Sequence, residues 1–263
     1  MTVIFRPALK RVHLLRLAPF MEFEKRHPQD VMPPLSLAYV AALLKNSARE
    51  VEITDTWAHP MDFEKLKNHL VSRFFDALLV DFTSPVAHLA RHLVLSLKQV
   101  RDFVAIAAGQ HATALPEDVL AGETPFDFCI RGEIEPILPE LLSSVEIGKS
   151  PEKISGISWR DIDGSVVSVP VRETFFDLDS LPSPDWSLFD LDAYVMHSVA
   201  VPSIKPLKWG FLLAGRGCPY ACIYCSSTLR QSYGAKVRMH SAQRVADEME
   251  RLVALGRNAL FFE

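Results

Sequence analysis

A parallel α/β fold, followed by the start of a second βα domain, is the fold class that the sequence predicts. Three observations carry it. Through residue 145, short apolar runs alternate with stretches whose apolar residues recur at helical spacing. An Asp-, Pro- and Ser-rich stretch, Asp177–Tyr194, then interrupts the pattern. A new strand–helix–strand pattern opens at Trp209 and runs to Phe262. Strands and helices that alternate with short connections give a parallel sheet covered by helices.

The elements follow in order. Val12–Leu17 is predicted as the first strand, and a long polar loop leads through His27 to Pro33-Pro34. Leu35–Asn46 reads as an amphipathic helix with Pro34 in its first turn, and Glu50–Asp55 as a short strand. Asp62 is a predicted N-cap for a helix running to Phe74. Ala77–Phe82 and Val104–Ala108 are near-continuous apolar runs, as expected of strands buried on both faces. The Val86–Val100 helix lies between them. A short helix after Pro116, a strand at Phe126–Ile130 and a helix at Glu133–Val145 complete five βα units. Asp-Gly at Asp163-Gly164, between Gly156–Trp159 and Val166–Val169, is a hairpin signal. In the last section, Trp209–Ala214 is a strand, Gly215–Tyr233 a long loop, Ala242–Leu255 a helix capped by Ser241, and Asn258–Phe262 a strand. The expected division is residues 1–150 for the α/β domain, 151–200 for hairpin and linker, and 201–263 for an incomplete second domain. Residues 1–145 are expected to fold alone.

Composition narrows the function. The chain has 263 residues, 49% hydrophobic and 23% charged, which excludes a disordered protein. A net charge of −4 supplies no general attraction for nucleic acid or anionic membrane. No apolar run reaches the ~18 residues of a bilayer span. The N-terminus lacks the apolar core and cleavage site of a secretory signal, so a cytoplasmic protein is expected.

The cysteines are the chemical signal. Cys218, Cys222 and Cys225 fall on one predicted loop with C-x3-C-x2-C spacing; the fourth, Cys129, is far away in sequence. This is no disulfide framework. Three thiolates on one loop can each hold one iron of a 4Fe–4S cluster, leaving the fourth iron open for chemistry, whereas electron-transfer clusters usually use four cysteines. A zinc site would need further ligands, and His240, 15 residues beyond Cys225, is the nearest candidate. Cys129 could serve as a fourth ligand, but it reads better as a small buried hydrophobe. His27 and His59 read as solvated.

The motif Arg216-Gly217-Cys218-Pro219-Tyr220-Ala221-Cys222-Ile223-Tyr224-Cys225 resembles the cluster motif of the radical S-adenosylmethionine (SAM) superfamily. The resemblance implies that the open iron chelates SAM and that reduction yields a 5′-deoxyadenosyl radical. Tyr224 stands at the aromatic position near the adenine. Upstream, Pro33-Pro34-Leu35-Ser36-Leu37-Ala38-Tyr39, Gly109-Gln110-His111-Ala112-Thr113, Arg131-Gly132-Glu133-Ile134-Glu135 and the Leu178–Asp185 segment resemble, in order, segments of the cobalamin-binding radical SAM proteins. The implied fold is a flavodoxin-like, cobalamin-binding sheet followed by the start of a radical SAM partial barrel. The implied cobalamin contacts are Ser84, Gly109, His111, Gly132 and Glu133. The D-x-H-x-x-G signature of cobalt-ligating histidine is absent, so His111 reads as a hydrogen-bonding or capping residue, with cobalt ligation as the alternative. Glu133 is equally explained by a helix dipole.

The expected function is a cobalamin-dependent radical SAM enzyme, of methyltransferase type or performing related carbon-centred chemistry. It would take a small-molecule substrate and an external electron donor, with neither nucleic acid nor membrane as partner. The alternative is a non-catalytic cobalamin and iron–sulfur accessory module, or half of a split enzyme completed by a partner chain. A closed barrel needs more βα units than this chain carries. Phe211, Leu212, Leu213, Leu260, Phe261 and Phe262 are therefore expected to lack barrel partners.

Overall fold

Apolar runs too short for helices and bounded by turn residues become the strands of one sheet. A computed structural model describes residues 5–6, 8–18, 30–171, 177–198, 206–225 and 227–263. The expected solvation of His27 falls outside these residues. Five parallel strands, β1 (Arg11–Arg16), β2 (Glu50–Asp55), β3 (Ala77–Asp81), β4 (Val104–Ala108) and β5 (Phe128–Ile130), alternate with helices. Of the helices, α1 (Leu35–Asn46) follows β1, α2 (Phe63–Val71) follows β2 and α3 (Ala87–Lys98) follows β3. Two short helices, α4 (Gln110–Ala114) and α5 (Pro116–Leu120), follow β4, and α6 (Ile134–Glu146) follows β5. The strand order is β2-β1-β3-β4-β5, then two further strands. Every residue of β4 is buried, as a strand covered on both faces requires. On one face Leu37, Val40 and Leu44 of α1 pack with Leu138 and Leu141 of α6. On the other, Leu66 and Leu70 of α2 pack with Leu93 and Leu97 of α3. Asp62 caps α2 as expected, accepting from the Lys65 N–H at 2.8 Å.

The predicted hairpin forms β6 (Ile157–Arg160) and β7 (Val166–Ser168), with Gly164 at a φ of +85° in its turn. The sequence leaves its docking open, and the structure supplies it. The hairpin extends the sheet: β6 pairs antiparallel with β5, burying Ile157 and Trp159. An uncovered β5 would present unpaired backbone groups, and the hairpin removes that edge.

The Asp-rich stretch is ordered by its own side chains. Asp177, Asp185 and Asp190 each accept a hydrogen bond from the N–H two residues on, and each opens a single 3-10 turn. Beyond it, β8 (Trp209–Leu212) pairs in parallel with β11 (Ala259–Phe262) across α8 (Ala242–Ala254). The sequence missed two features inside Gly215–Tyr233. Gly215–Arg216 forms a strand, β9, paired with β10 (Arg238–Met239), and Ser227–Tyr233 forms a helix, α7. Two of the strand residues expected to be bare are buried. Phe211 packs with Tyr194, Met196 and Trp209, and Leu212 with Leu178 and Trp186, so the linker supplies the missing partners. Phe262 remains exposed.

Candidate functional site

Chain reversals in a 2-1-3-4-5 sheet leave a crevice at the carboxyl ends of the strands, beside the point where successive connections pass to opposite faces. Here α1 leaves β1 toward one face and α3 leaves β3 toward the other. A cavity of about 300 Å³ lies at these strand ends, with Arg16 ending β1, Asp81–Thr83 at the end of β3, Gly109 after β4 and Gly132-Glu133 after β5. Its far wall is the second section of the chain: Leu213, Arg216, Ser232, Tyr233 and Glu263. Both sections therefore share one crevice.

Gly109, Gly132 and Glu133 meet there; Ser84 and His111 do not line it. The glycines have a structural cause. Gly109 has a φ of +95°, and a Cβ there would lie 2.2 Å from Asp81 Oδ1 and 2.7 Å from the Phe82 carbonyl oxygen. Gly132, at +87°, passes the Ser232 carbonyl with only 3.3 Å to an added Cβ. Arg16 and Asp81 supply polar groups to the lining, and Asp55 lies behind Arg16, 3.5 Å from its Nη1. The Tyr194 hydroxyl donates to Asp55 Oδ2 at 3.0 Å, and Arg16 donates to the Met32 carbonyl at 2.5 Å. Burial raises the Asp81 carboxyl above the usual carboxylate range, against the pull of Arg16.

Buried His111 uses both ring nitrogens: Nδ1 lies 3.0 Å from Ser84 Oγ, and Nε2 lies 3.0 Å from Asp118 Oδ2. That is the hydrogen-bonding role. A cobalt bond would have to displace one of these partners. His111 faces a second cavity, of about 340 Å³, beside α3 and α5. His59 is exposed, its Nε2 3.5 Å from Asp190 Oδ2.

The cysteine loop leaves β9 through Gly217, whose φ is +94° and where a Cβ would lie 2.1 Å from the Lys236 carbonyl oxygen. The Cys218 N–H donates to the Gly234 carbonyl at 3.2 Å, and the Cys225 N–H to the Cys222 carbonyl at 3.2 Å. Cys218 is half-buried; Cys222 and Cys225 are exposed, as are Ile223 and Tyr224. Among the described residues no three Cys, His, Asp or Glu side chains converge as a ligand set. The donor set still fits a three-thiolate cluster chemically: three thiols on one loop, none of them buried in the core. Cys129 differs in every respect. It is buried in the sheet, its Sγ lies 3.3 Å from the Ala112 carbonyl oxygen, and burial pushes its thiol up to about 12. His240 Nδ1 lies 2.9 Å from Asp179 Oδ1, which commits that ring to the linker.

The sequence reading missed a buried ionic cluster at the crevice wall. Arg216 donates to Glu133 Oε2 at 2.9 Å and to Glu135 Oε1 at 2.5 Å, and Arg238 donates to both oxygens of Glu133. Burial alone would lower the Arg216 guanidinium, but Glu135 and then Glu133 outweigh it and raise it. A signal was available. Glu133 and Glu135 flank Ile134 at the start of a helix whose buried face is mostly apolar, where charge without a local partner needs a distant one.

Residues 26–142 match the B12 binding domain family. An uncharacterized methyltransferase of Pyrococcus horikoshii is 29% identical over 242 residues, an alignment covering 91% of this chain and 50% of that protein. The anaerobic magnesium-protoporphyrin IX monomethyl ester cyclase of Rubrivivax gelatinosus is 26% identical over 84% of this chain and 39% of its own length. The radical S-adenosylmethionine methyltransferase TsrM from Kitasatospora setae, solved with cobalamin and a [4Fe-4S] cluster bound, superposes with a TM-score of 0.67 at 18% identity, over 97% of this chain and 47% of its own. The chain thus spans about half or less of the length of these relatives. It carries a stretch that matches the B12 binding domain family, and it shares its fold with solved radical S-adenosylmethionine enzymes that bind cobalamin.

Proposed function

We propose that the chain is the cofactor-holding part of a cobalamin-dependent radical SAM enzyme, of methyltransferase type. In this reading residues 1–150 with the docked hairpin hold cobalamin, 151–200 connect, and 201–263 begin the radical SAM half. Cys218, Cys222 and Cys225 hold a 4Fe–4S cluster, with Tyr224 beside SAM. The observation that carries the reading is the shared crevice, with sheet ends on one side and Arg216, Tyr233 and Glu263 on the other. When bound, the cluster with SAM supplies a 5′-deoxyadenosyl radical, and cobalamin supplies a methyl group. The chain's own residues do the positioning. Gly109 and Gly132 let the strand ends and α7 approach closely, Asp81 offers a hydrogen-bonding carboxyl, and the apolar wall at Leu17 and Leu213 excludes water. A small-molecule substrate and an external electron donor complete the reaction. No described helix is long and apolar enough to cross a membrane.

A second reading, a cluster- and cobalamin-holding module that acts with a partner chain, is favoured by one observation. Among the described residues β8 and β11 pair only with each other. One experiment separates the two. The intact chain is reconstituted anaerobically with iron and sulfide, loaded with hydroxocobalamin, and given SAM and reductant. Bound iron near four per chain, retained cobalamin and release of 5′-deoxyadenosine support the enzyme. Both cofactors without 5′-deoxyadenosine support the module. No iron and no cobalamin overturn both. Replacing Cys218, Cys222 or Cys225 by Ala abolishes the cluster, and Cys129→Ala does not.

A further inference from the structure

The residue immediately before Gly217-Cys218 is Arg216, and the other half of the molecule holds it. Its side chain is 3% exposed, and Glu133 and Glu135 are 2% and 0% exposed. Two guanidinium nitrogens go to two different carboxylates, at 2.9 and 2.5 Å. A rigid fork held at two separate points fixes the rotation of the group as well as its position. The rings of Tyr39 and Tyr233 lie 5.7 and 5.4 Å from the guanidinium carbon. Arg238, the partner of Arg216 across the β9–β10 ladder, takes Glu133 as well, and its Nη2 donates to the Tyr233 carbonyl at 3.1 Å. The ladder itself is two residues long, too short to hold a loop by backbone pairing. Glu133 lines the crevice from the N-cap position of α6, where its carboxylate makes no capping bond and is left for the two arginines.

We propose that this cluster is a latch that sets the stem of the cysteine loop against the crevice, with Arg216 as the positioning residue. Arg216 contributes no ligand atom to the loop. It determines where Cys218 stands relative to Gly132 and Glu133, and so relative to whatever occupies the crevice. The proposal rests on the reading of the loop as a cluster site, since registration serves chemistry only there. Its test reads the registration itself, on metal-free protein.

The intact chain is alkylated with iodoacetamide at neutral pH, and each thiol is followed by mass spectrometry. Buried Cys129 is the internal control for folding, and exposed Cys222 and Cys225 set the rate of an unhindered thiol. In the unaltered chain Cys218 reacts about tenfold more slowly than these two. Arg216→Lys removes the fork, because one ammonium cannot span both carboxylates; Glu135→Gln removes one charge at constant shape. Each variant speeds Cys218 about fivefold, while Cys222 and Cys225 stay within about twofold and Cys129 stays unreactive. This selectivity for the stem thiol is what a general loosening would not produce. Three results overturn the latch: Cys218 unhindered in the unaltered chain, Cys218 unchanged in both variants with Cys129 protected, or Cys129 alkylated in both variants. The last would make the cluster a support of the fold rather than of the loop. If Arg216→Lys alone exposes Cys129, Glu135→Gln decides. Failure to bind iron on reconstitution overturns the cluster reading and leaves the alkylation pattern standing, so the two failures are distinguishable.

Discussion

The sheet and the section beyond residue 206 use the same βα pattern and both bury apolar strands, but the later section leans far more on buried charge. In the sheet, β3 and β4 are apolar runs buried between two helical layers, and the helices add apolar stripes. In the later section, α8 buries only Leu252 and a glutamate, Glu248, which accepts from the Trp186 indole N–H at 3.3 Å. Arg257 reaches Asp192 at 2.6 Å, Asp179 accepts from the Ser241 N–H at 3.0 Å, and Arg216 reaches Glu133 and Glu135. Apolar burial is strong and indifferent to direction. Buried charge adds little net stability and strongly penalises a misplaced partner. The first region is built to be stable, and the second to be placed.

The largest expected effect tests the self-sufficiency of the sheet. A fragment ending at Val171 retains the hairpin, and one ending at Val145 loses Ile157 and Trp159 and bares β5. Urea unfolding should find the shorter fragment less stable by on the order of 5 kcal/mol, or unfolded. Equal stability would mean that the hairpin decorates the sheet without completing it. Next, Arg216→Ala leaves Glu135 buried with no hydrogen-bond partner, since its Oε2 already has none. The expected cost is about 3–5 kcal/mol. It should be confined to the transition reported by Trp186 and Trp209; an equal loss in the sheet would erase the contrast.

A third effect belongs to the sheet alone. His13 is buried with its Nε2 2.9 Å from Thr54 Oγ1, and burial, with His69, Arg73 and Arg101 adding to it, pushes the ring down to about 3. The unfolded chain takes up this proton near pH 6.5, and the folded chain only near pH 3. Stability is therefore lost as pH falls through that window, by about 2 kcal/mol at pH 5. His13→Gln should flatten this dependence in urea melts; an unchanged slope would assign it to other groups. The smallest effect is local. Asp62→Ala removes the α2 cap and should cost about 1 kcal/mol, read as the same shift in the sheet transition.

Much of the sheet was legible because its signals are local. Leu35–Asn46, Glu50–Asp55 and Val104–Ala108 fall where their apolar spacing put them. The docking of the hairpin was not legible, because alternation in Ile157–Arg160 tells which residues face inward and not which edge they join. The α4 helix has five residues, less than two turns, and shows no period. The α7 helix follows the cysteine loop with a polar sequence, Ser227–Tyr233, that carries no apolar stripe. At the site, the cysteines were legible as a spacing, whereas the partners of Arg216 lie 83 and 81 residues away and no local pattern reaches them.

The aspartate-opened turns of the linker bear on how such a protein can be inherited in pieces. Leu178, Leu181 and Trp186 pack against Leu212 and Leu252, and Tyr194 and Met196 against Trp209 and Phe211. A recombination joint near residue 200 would look natural on the sequence, yet it would hand the new neighbour a strand pair stripped of its cover. A joint ahead of Asp177 would carry the cover along. It would still demand from its new host two acidic residues at the mouth of a sheet, spaced to receive one arginine. The unit that can be exchanged between proteins is thus set by who shields whom, and it begins some thirty residues before the strand that opens it.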